Sequence, residues 1–128
     1  MAQHSLTQIL LLLVFLQLKH FIFDGPLQTL AMVKAKSIYG KPLGLLHAAG
    51  HGAGSFLVLL VFGIDLQFAA ALAALDSVAH YHIDFIKENL VHKMGWNTDD
   101  GPFWWALTAD QALHHMTYVG LVYLAFTP

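Results

Sequence analysis

Four apolar segments of the chain each carry two side chains that can bind a metal ion, spaced four residues apart. The pairs are His20 and Asp24, His47 and His51, His80 and Asp84, and Asp110 and His114. Residues four apart lie on the same face of an α-helix, so each segment would present both side chains in one direction. Ionisable groups are costly inside apolar helices and are usually kept there for function. The spacing therefore predicts four helices that share one polar site.

The composition is that of a membrane protein. Of the 128 residues, 57% are hydrophobic and 11% are charged, whereas soluble domains carry about 25% charged residues. Mean hydropathy is +0.59. Apolar segments over residues 5–23, 43–64, 66–87 and 103–126 each approach the roughly 20 residues that cross a bilayer. We expect an all-α integral membrane four-helix bundle, with residues 1–128 forming a single four-span transmembrane domain.

The segments between these spans also carry structural signals. Residues 27–36 have helical spacing of apolar side chains and predict a short interfacial or re-entrant helix between helices one and two. Gly50, Gly52 and Gly54 fall inside the second span, where small residues let neighbouring helices approach closely. No strand or Lys-Ser/Thr pair flanks them, so a phosphate-binding loop is not expected. The polar stretch 88–101 is expected to connect the last two helices.

Residue types that are absent exclude several functions. The chain has no cysteine, so thiolate metal sites, disulfides and cysteine nucleophiles are excluded. A net charge of −2 and the lack of arginine argue against nucleic acid as a partner.

All the lysines fall near the ends of helices that share one membrane side, and the positive-inside rule makes that side cytoplasmic. Both termini are therefore expected to point away from the cytoplasm.

The depth of the four pairs supports a shared site. At a rise of about 1.5 Å per residue, all four pairs reach the same half of the membrane, although alternate helices run in opposite directions.

Imidazole and carboxylate together suit a divalent transition metal, first zinc and then iron or manganese, and suit calcium less well. These residues could hold one ion, with the remaining side chains supporting its ligands, or two ions that share a carboxylate. In the alternative, these residues only hold the helices together through hydrogen bonds and salt bridges.

Asp76 and Asp24 are the candidate catalytic bases. Asp76 continues the helix face of His80 one turn deeper, so it could accept a proton, orient His80, or hydrogen-bond near Ser77. Asp24 belongs to the ligand pairs themselves.

Other polar side chains are expected around the site or away from it. Gln28 and Gln111 are expected to hydrogen-bond the carboxylates. Four histidines are expected to lie off the site: His4, His82, His92 and His115.

In these motifs the chain resembles a bacterial family of small membrane proteins, domain of unknown function 3307. The family pattern of His-x-x-x-Asp with a following Gln, Met and Lys is matched by His20, Asp24, Gln28, Met32 and Lys34. Its later motifs are matched by His47 and His51, by His80, Asp84 and Lys87, and by Asp110, Gln111 and His114. Gly25-Pro26 stand where the family has Phe. The resemblance implies a bacterial inner membrane protein, and an analogy with membrane metal-dependent hydrolases favours a metal site.

The leading hypothesis is a metal-dependent hydrolase of a lipid or lipid-like substrate, in which the ion activates a water and Asp76 or Asp24 takes the proton. The first alternative is an accessory subunit of a larger membrane complex, with the polar cluster as structural glue. The second is a b-type haem protein with histidine ligands from two helices.

Overall fold

The computed structural model describes residues 5–127, and within that range the chain is helical with no strand. Its elements are α1 (Leu6–Asp24), α2 (Leu30–Ala35), α3 (Pro42–Val61), α4 (Leu66–Met94) and α5 (Gly101–Phe126). The predicted all-α class is confirmed, and a short helix does lie between the first two long ones. His4 lies outside the described residues.

Local sequence explains where the helices begin and end. Ser5 caps α1 in a reciprocal capping box with Gln8, and the Asp65 side chain accepts from backbone N–H groups at the start of α4. The prediction that the third helix ends near Lys87 is wrong, because α4 continues to Met94. Residues 88–94 contain no helix breaker, and α4 stops only at Gly95, which has a φ of 67° that favours glycine.

The four long helices form a closed ring. Helices α1 and α4 each pack against both α3 and α5, while α2 packs against α3. Gly52 allows α3 to approach α4 closely, since a Cβ atom there would lie 2.9 Å from the Ala73 carbonyl oxygen. This contact agrees with the packing role predicted for the glycine-rich stretch.

The interior of the ring has an apolar half and a polar half. Buried apolar residues at the end near the start of α1 include Leu12, Leu16, Leu59, Leu72 and Leu121. Toward the α1–α2 and α4–α5 connections, the interior is filled by buried histidine, aspartate and lysine side chains.

The outer surface of the bundle is apolar. Large exposed hydrophobic side chains occur on every long helix, including Phe21 on α1, Leu57 on α3, Val78 on α4 and Met116 on α5. Among the described helices, α1 and α3 have both the length and the apolarity needed to cross a membrane. The aspartates and histidines buried in α4 and α5 lower the mean hydropathy of those helices.

Candidate metal centre

One carboxylate oxygen from α1 lies among three histidines of α3 and α4. Asp24 Oδ1 lies 3.1 Å from His47 Nε2, 2.9 Å from His51 Nε2 and 3.5 Å from His80 Nε2. The Nε2 atoms of His47 and His80 are 3.2 Å apart. The three histidines are at most 3% exposed. These four side chains, which we call the α1–α3–α4 set, bring four ligand atoms within 4.8 Å of one another.

A second group of donors lies between α4 and α5. His114 Nε2 is 3.4 Å from Asp84 Oδ1 and 3.5 Å from Asp110 Oδ1. We call these three buried side chains the α4–α5 set. The two sets adjoin, because the other oxygen of Asp84, Oδ2, lies 3.2 Å from His80 Nε2 and 3.5 Å from His47 Nε2.

Gln111 and His20 hold the outer oxygens of the carboxylates. The Gln111 side-chain amide donates to Asp110 Oδ2 at 3.0 Å and to Asp24 Oδ2 at 3.5 Å. His20 Nε2 lies 3.0 Å from Gln111 Oε1 and 3.3 Å from Asp24 Oδ2. The expected contact of Gln111 with the carboxylates is therefore present. Holding Oδ2 in this way leaves Oδ1 of both aspartates directed at the histidines.

The hydrogen-bond chain that ends at His20 determines which of its nitrogens carries hydrogen. Lys19 Nζ lies 3.0 Å from the Tyr118 hydroxyl oxygen. A charged ammonium group donates hydrogen bonds and cannot accept them, so Lys19 is the donor in this contact. The Tyr118 hydroxyl can then donate to His20 Nδ1, 3.0 Å away. His20 Nε2 consequently carries the hydrogen that it donates to Gln111 and Asp24.

Two buried lysines are partners of site carboxylates. Lys36 Nζ lies 2.9 Å from Asp84 Oδ2, and Lys19 Nζ lies 2.9 Å from Asp76 Oδ2. Sequence reasoning counted both lysines only as cytoplasmic-side charges. For Lys19 a signal was available, because a lysine inside an apolar helix and next to a predicted ligand requires a buried partner.

Asp76 does not contact the metal-binding sets through its hydrogen bonds. Its Oδ2 accepts from Lys19 and, at 2.6 Å, from the Ser55 hydroxyl. Of the three roles left open for it, a hydrogen bond with Ser77 is not found, because Ser77 Oγ faces Gly52 of α3. Ser55 was missed because its partner lies on another helix, at a distance in sequence that no local pattern indicates.

The other polar predictions have mixed outcomes. Gln28 was expected to bond a carboxylate, but it donates to the backbone carbonyl of Asp24 at 2.8 Å and accepts from Lys36. His82 lies off the site, exposed and 3.1 Å from the Tyr39 hydroxyl. His115, which was also expected off the site, contacts Gln17 but has its ring centroid 5.6 Å from that of His20. His92 is exposed at the end of α4.

Three buried polar atoms of the cluster have no hydrogen-bond partner within the described part of the chain: His80 Nδ1, Asp110 Oδ1 and His114 Nδ1. Buried polar atoms are normally paired, so each exception calls for an explanation. Asp110 Oδ1 is the clearest case, since it faces His114 in the α4–α5 set and Asp110 is only 4% exposed.

A cavity of about 710 Å³ leads to the cluster. Its polar wall includes His20, Asp24, Asp84 and Asp110. Apolar side chains complete the wall, among them Phe21, Val33, Phe103 and Leu107. These four polar residues therefore line an opening on one side of the bundle, between α1 and α5, and the other four predicted ligands lie behind them.

Comparison with known proteins gives one match. The model of the family described as "Protein of unknown function (DUF3307)" matches residues 11–128. No curated protein and no solved structure matches the chain. The matched range contains all eight predicted metal-binding residues, together with Gln111 and both buried lysines. The chain therefore belongs to the DUF3307 family of proteins of unknown function.

Proposed function

We propose that this protein is an integral membrane metalloprotein that hydrolyses a lipid-like substrate. The convergence of imidazole and carboxylate groups from four helices carries the proposal. Seven of the predicted ligands form the two sets described above, and His20 lies beside Asp24 Oδ2 and forms a further possible group with His80 and His114. The donor types favour zinc, with iron or manganese as the alternatives.

The distribution of polarity supports a membrane location. The bundle buries aspartate, lysine and histidine inside and exposes leucine, valine and phenylalanine outside, the reverse of a soluble protein. We propose a bacterial inner membrane protein in which all four long helices span, with both termini away from the cytoplasm. The charge argument for this orientation is reduced, because two of the six lysines, Lys19 and Lys36, are buried ion-pair partners.

The cavity supports a substrate with both polar and apolar parts. Its volume of about 710 Å³ falls in the range of ligand-binding sites, about 300–1,000 Å³. Carboxylates and His20 line one part of it, and Phe21, Phe103 and Leu107 line another. A lipid headgroup could reach the carboxylates while the acyl chains lie against the apolar wall and the surrounding bilayer.

A bound divalent ion would supply Lewis-acid chemistry and lower the pKa of a coordinated water. Of the two candidate bases, Asp24 is better placed, because it lines the cavity and its side chain is 15% exposed. Asp76 is 1% exposed and already accepts hydrogen bonds from Lys19 and Ser55. We assign Asp76 the role of holding Lys19, and His20 and Gln111 the role of orienting Asp24.

The two rival functions draw different support. The apolar outer face could contact partner helices as well as lipid, and the buried Lys19–Asp76 pair joins α1 to α4; both features suit an accessory subunit. The haem hypothesis finds no axial pair in His51 and His80, because their rings stack with centroids 3.5 Å apart. Two axial ligands must instead lie on opposite faces of a porphyrin.

The first test is the metal content of protein purified in mild detergent without a histidine tag. We expect zinc, iron or manganese in a His82→Ala control, as in the unaltered protein, and a reduced metal content in His80→Ala, two residues away on the same helix. Metal-free unaltered protein that remains folded would overturn the proposal and favour the structural-glue alternative. A Soret band in the absorption spectrum would favour haem.

Hydrolysis is tested separately by incubating the metal-loaded protein with vesicles that contain lipid phosphoesters, carboxylic esters and amides. Mass spectrometry should detect cleavage of one class, and the cleavage should stop with a chelator and in His80→Ala. Cleavage that is insensitive to both treatments would contradict a metal-dependent mechanism. Co-purification with stoichiometric partner proteins, without lipid cleavage, would favour the accessory-subunit alternative.

A further inference from the structure

We infer that the centre binds two divalent ions, one in each of the sets defined above, with the Asp84 carboxylate between them. The inference rests on the proposed metal-binding function and adds the number of ions and the division of the ligands. The α1–α3–α4 set and the α4–α5 set share no residue, although His20 forms a third possible group with one histidine from each, His80 and His114. Together they contain seven side chains, more than the three or four protein ligands that one zinc ion takes.

The distances within each set fit tetrahedral coordination. Ligand atoms about 2.0–2.1 Å from a tetrahedral ion lie about 3.3–3.4 Å from one another. In the first set, Asp24 Oδ1 lies between 2.9 and 3.5 Å from the three histidine nitrogens. In the second, His114 Nε2 lies 3.4 and 3.5 Å from the two carboxylate oxygens. The contacts around Asp24 Oδ1 and around His114 Nε2 therefore have the spacing of ligands on one ion, and all ligand atoms of each set lie within 4.8 Å of one another.

Asp84 is oriented to contact both ions. Its Oδ1 faces His114 at 3.4 Å, and its Oδ2 faces His80 at 3.2 Å. A carboxylate that directs one oxygen into each set is the arrangement expected of a bridging ligand in two-metal sites, where the ions lie about 3.5–4 Å apart.

The positions of the carboxylates that lack a lysine partner are compatible with an ion in each set. Four aspartates line the polar half of the bundle, and the described lysines pair with two of them, Lys19 with Asp76 and Lys36 with Asp84. Asp24 and Asp110 are left without a lysine partner, and each belongs to a different set. A buried carboxylate needs a compensating charge, and an ion in each set would place positive charge beside each of these two.

The unpaired oxygen of Asp110 points to the ion of the second set. Asp110 is 4% exposed, Gln111 holds its Oδ2, and its Oδ1 has no hydrogen-bond partner among the described residues. An ion between Asp84, Asp110 and His114 would satisfy this oxygen. With three protein ligands, that ion would retain an open position for water or substrate, as catalytic zinc sites do. Asp110 also lines the cavity, so this position is on the substrate side.

The test is zinc stoichiometry in detergent-purified full-length protein that has been stripped by a chelator and reloaded with zinc alone. Mass-spectrometric metal analysis should give two ions per chain, and His82→Ala should match it. Asp110→Asn, which preserves side-chain shape, should bind one ion, as should His51→Ala. The combined variant should bind none. Circular dichroism of each variant establishes that the helices are retained.

The outcomes separate this inference from the function that underlies it. One ion per chain in the unaltered protein would overturn the two-ion centre and leave the metal-binding function intact. No ion would overturn both. Two ions in Asp110→Asn would overturn the assigned division of ligands. If a variant loses helicity, cobalt loading of the unaltered protein decides the question, because two equivalents should be needed to saturate the tetrahedral cobalt absorption.

Discussion

Lys19 Nζ lies 2.9 Å from Asp76 Oδ2 inside the bundle, with the two side chains 4% and 1% exposed. The same ammonium group contacts the Tyr118 hydroxyl, and Ser55 donates to the same carboxylate oxygen. One buried ion pair therefore links α1, α3, α4 and α5 directly beside the candidate metal centre.

Replacing only one of the two charged side chains in this pair should destabilise the fold strongly. Lys19→Met leaves the Asp76 carboxylate buried and unpaired, which costs about 3–5 kcal/mol. Adding Asp76→Asn should recover much of that loss, because the uncompensated charge is removed. The free energy of unfolding in mixed detergent micelles measures both effects, and Lys34→Met on the exposed surface is the control. Strictly additive losses in the double variant would contradict a direct interaction.

Gly52→Ala should separate α3 from α4. The added Cβ would lie 1.9 Å from Ser77 Oγ and 2.9 Å from the Ala73 carbonyl oxygen, and overpacking of this kind costs about 1–3 kcal/mol. The control is Gly120→Ala, since a Cβ there meets nothing within 4 Å. Adding Ser77→Ala to Gly52→Ala should recover part of the stability but not all of it, because the backbone contact remains. Equal unfolding free energies for the two glycine variants would show that this close approach is wrong.

Gln111→Leu should weaken metal binding without removing a ligand. Gln111 holds the outer oxygens of Asp110 and Asp24, and loss of such an orienting partner typically lowers metal affinity about 10–100-fold. Competition with a chromophoric zinc chelator measures the affinity, and exposed Gln67→Leu is the matched control. An unchanged affinity in Gln111→Leu would indicate that the carboxylates need no support from this side chain.

The proposed membrane topology can be read from single introduced cysteines, because the natural chain has none. If all four long helices span, Ser5→Cys and Gln67→Cys lie on one side of the membrane, and Lys41→Cys and Asn97→Cys on the other. An impermeant maleimide should label the first pair in intact spheroplasts and the second pair only after permeabilisation. The reverse pattern would invert the proposed orientation, and equal labelling at all four positions would contradict a four-span protein.

Local spacing was sufficient to predict the helices and the shared polar face. The i,i+4 pairs such as His47 and His51 identify a helix face without knowledge of the neighbouring helix, since helical geometry alone relates the two positions. Helix ends were harder to predict: α4 continues beyond Lys87 to Met94 because residues 88–94, which mix polar and apolar side chains, are as compatible with a helix as with a loop.

Partners from other helices could not be predicted in this way. The Lys19–Asp76 pair spans 57 residues and the Ser55–Asp76 hydrogen bond spans 21, and no sequence period relates such positions. Gln28 and Gln111 also show that sequence position does not identify a side chain's partner, since Gln28 comes four residues after Asp24 and Gln111 directly after Asp110. Gln111 reaches carboxylate oxygens, whereas Gln28, at the end of α1, turns back to a backbone carbonyl.

The helical class, the apolar outer surface and the set of candidate metal-binding side chains could be read from the sequence, because they depend on composition and on the 3.6-residue period of a helix. The division of those side chains came from the folded bundle, with Asp24 among three histidines, Asp110 beside His114 and Asp84 between the two groups. That division depends on the rotation and depth of each helix against its neighbours. Packing at residues such as Gly52, rather than any local pattern, sets both.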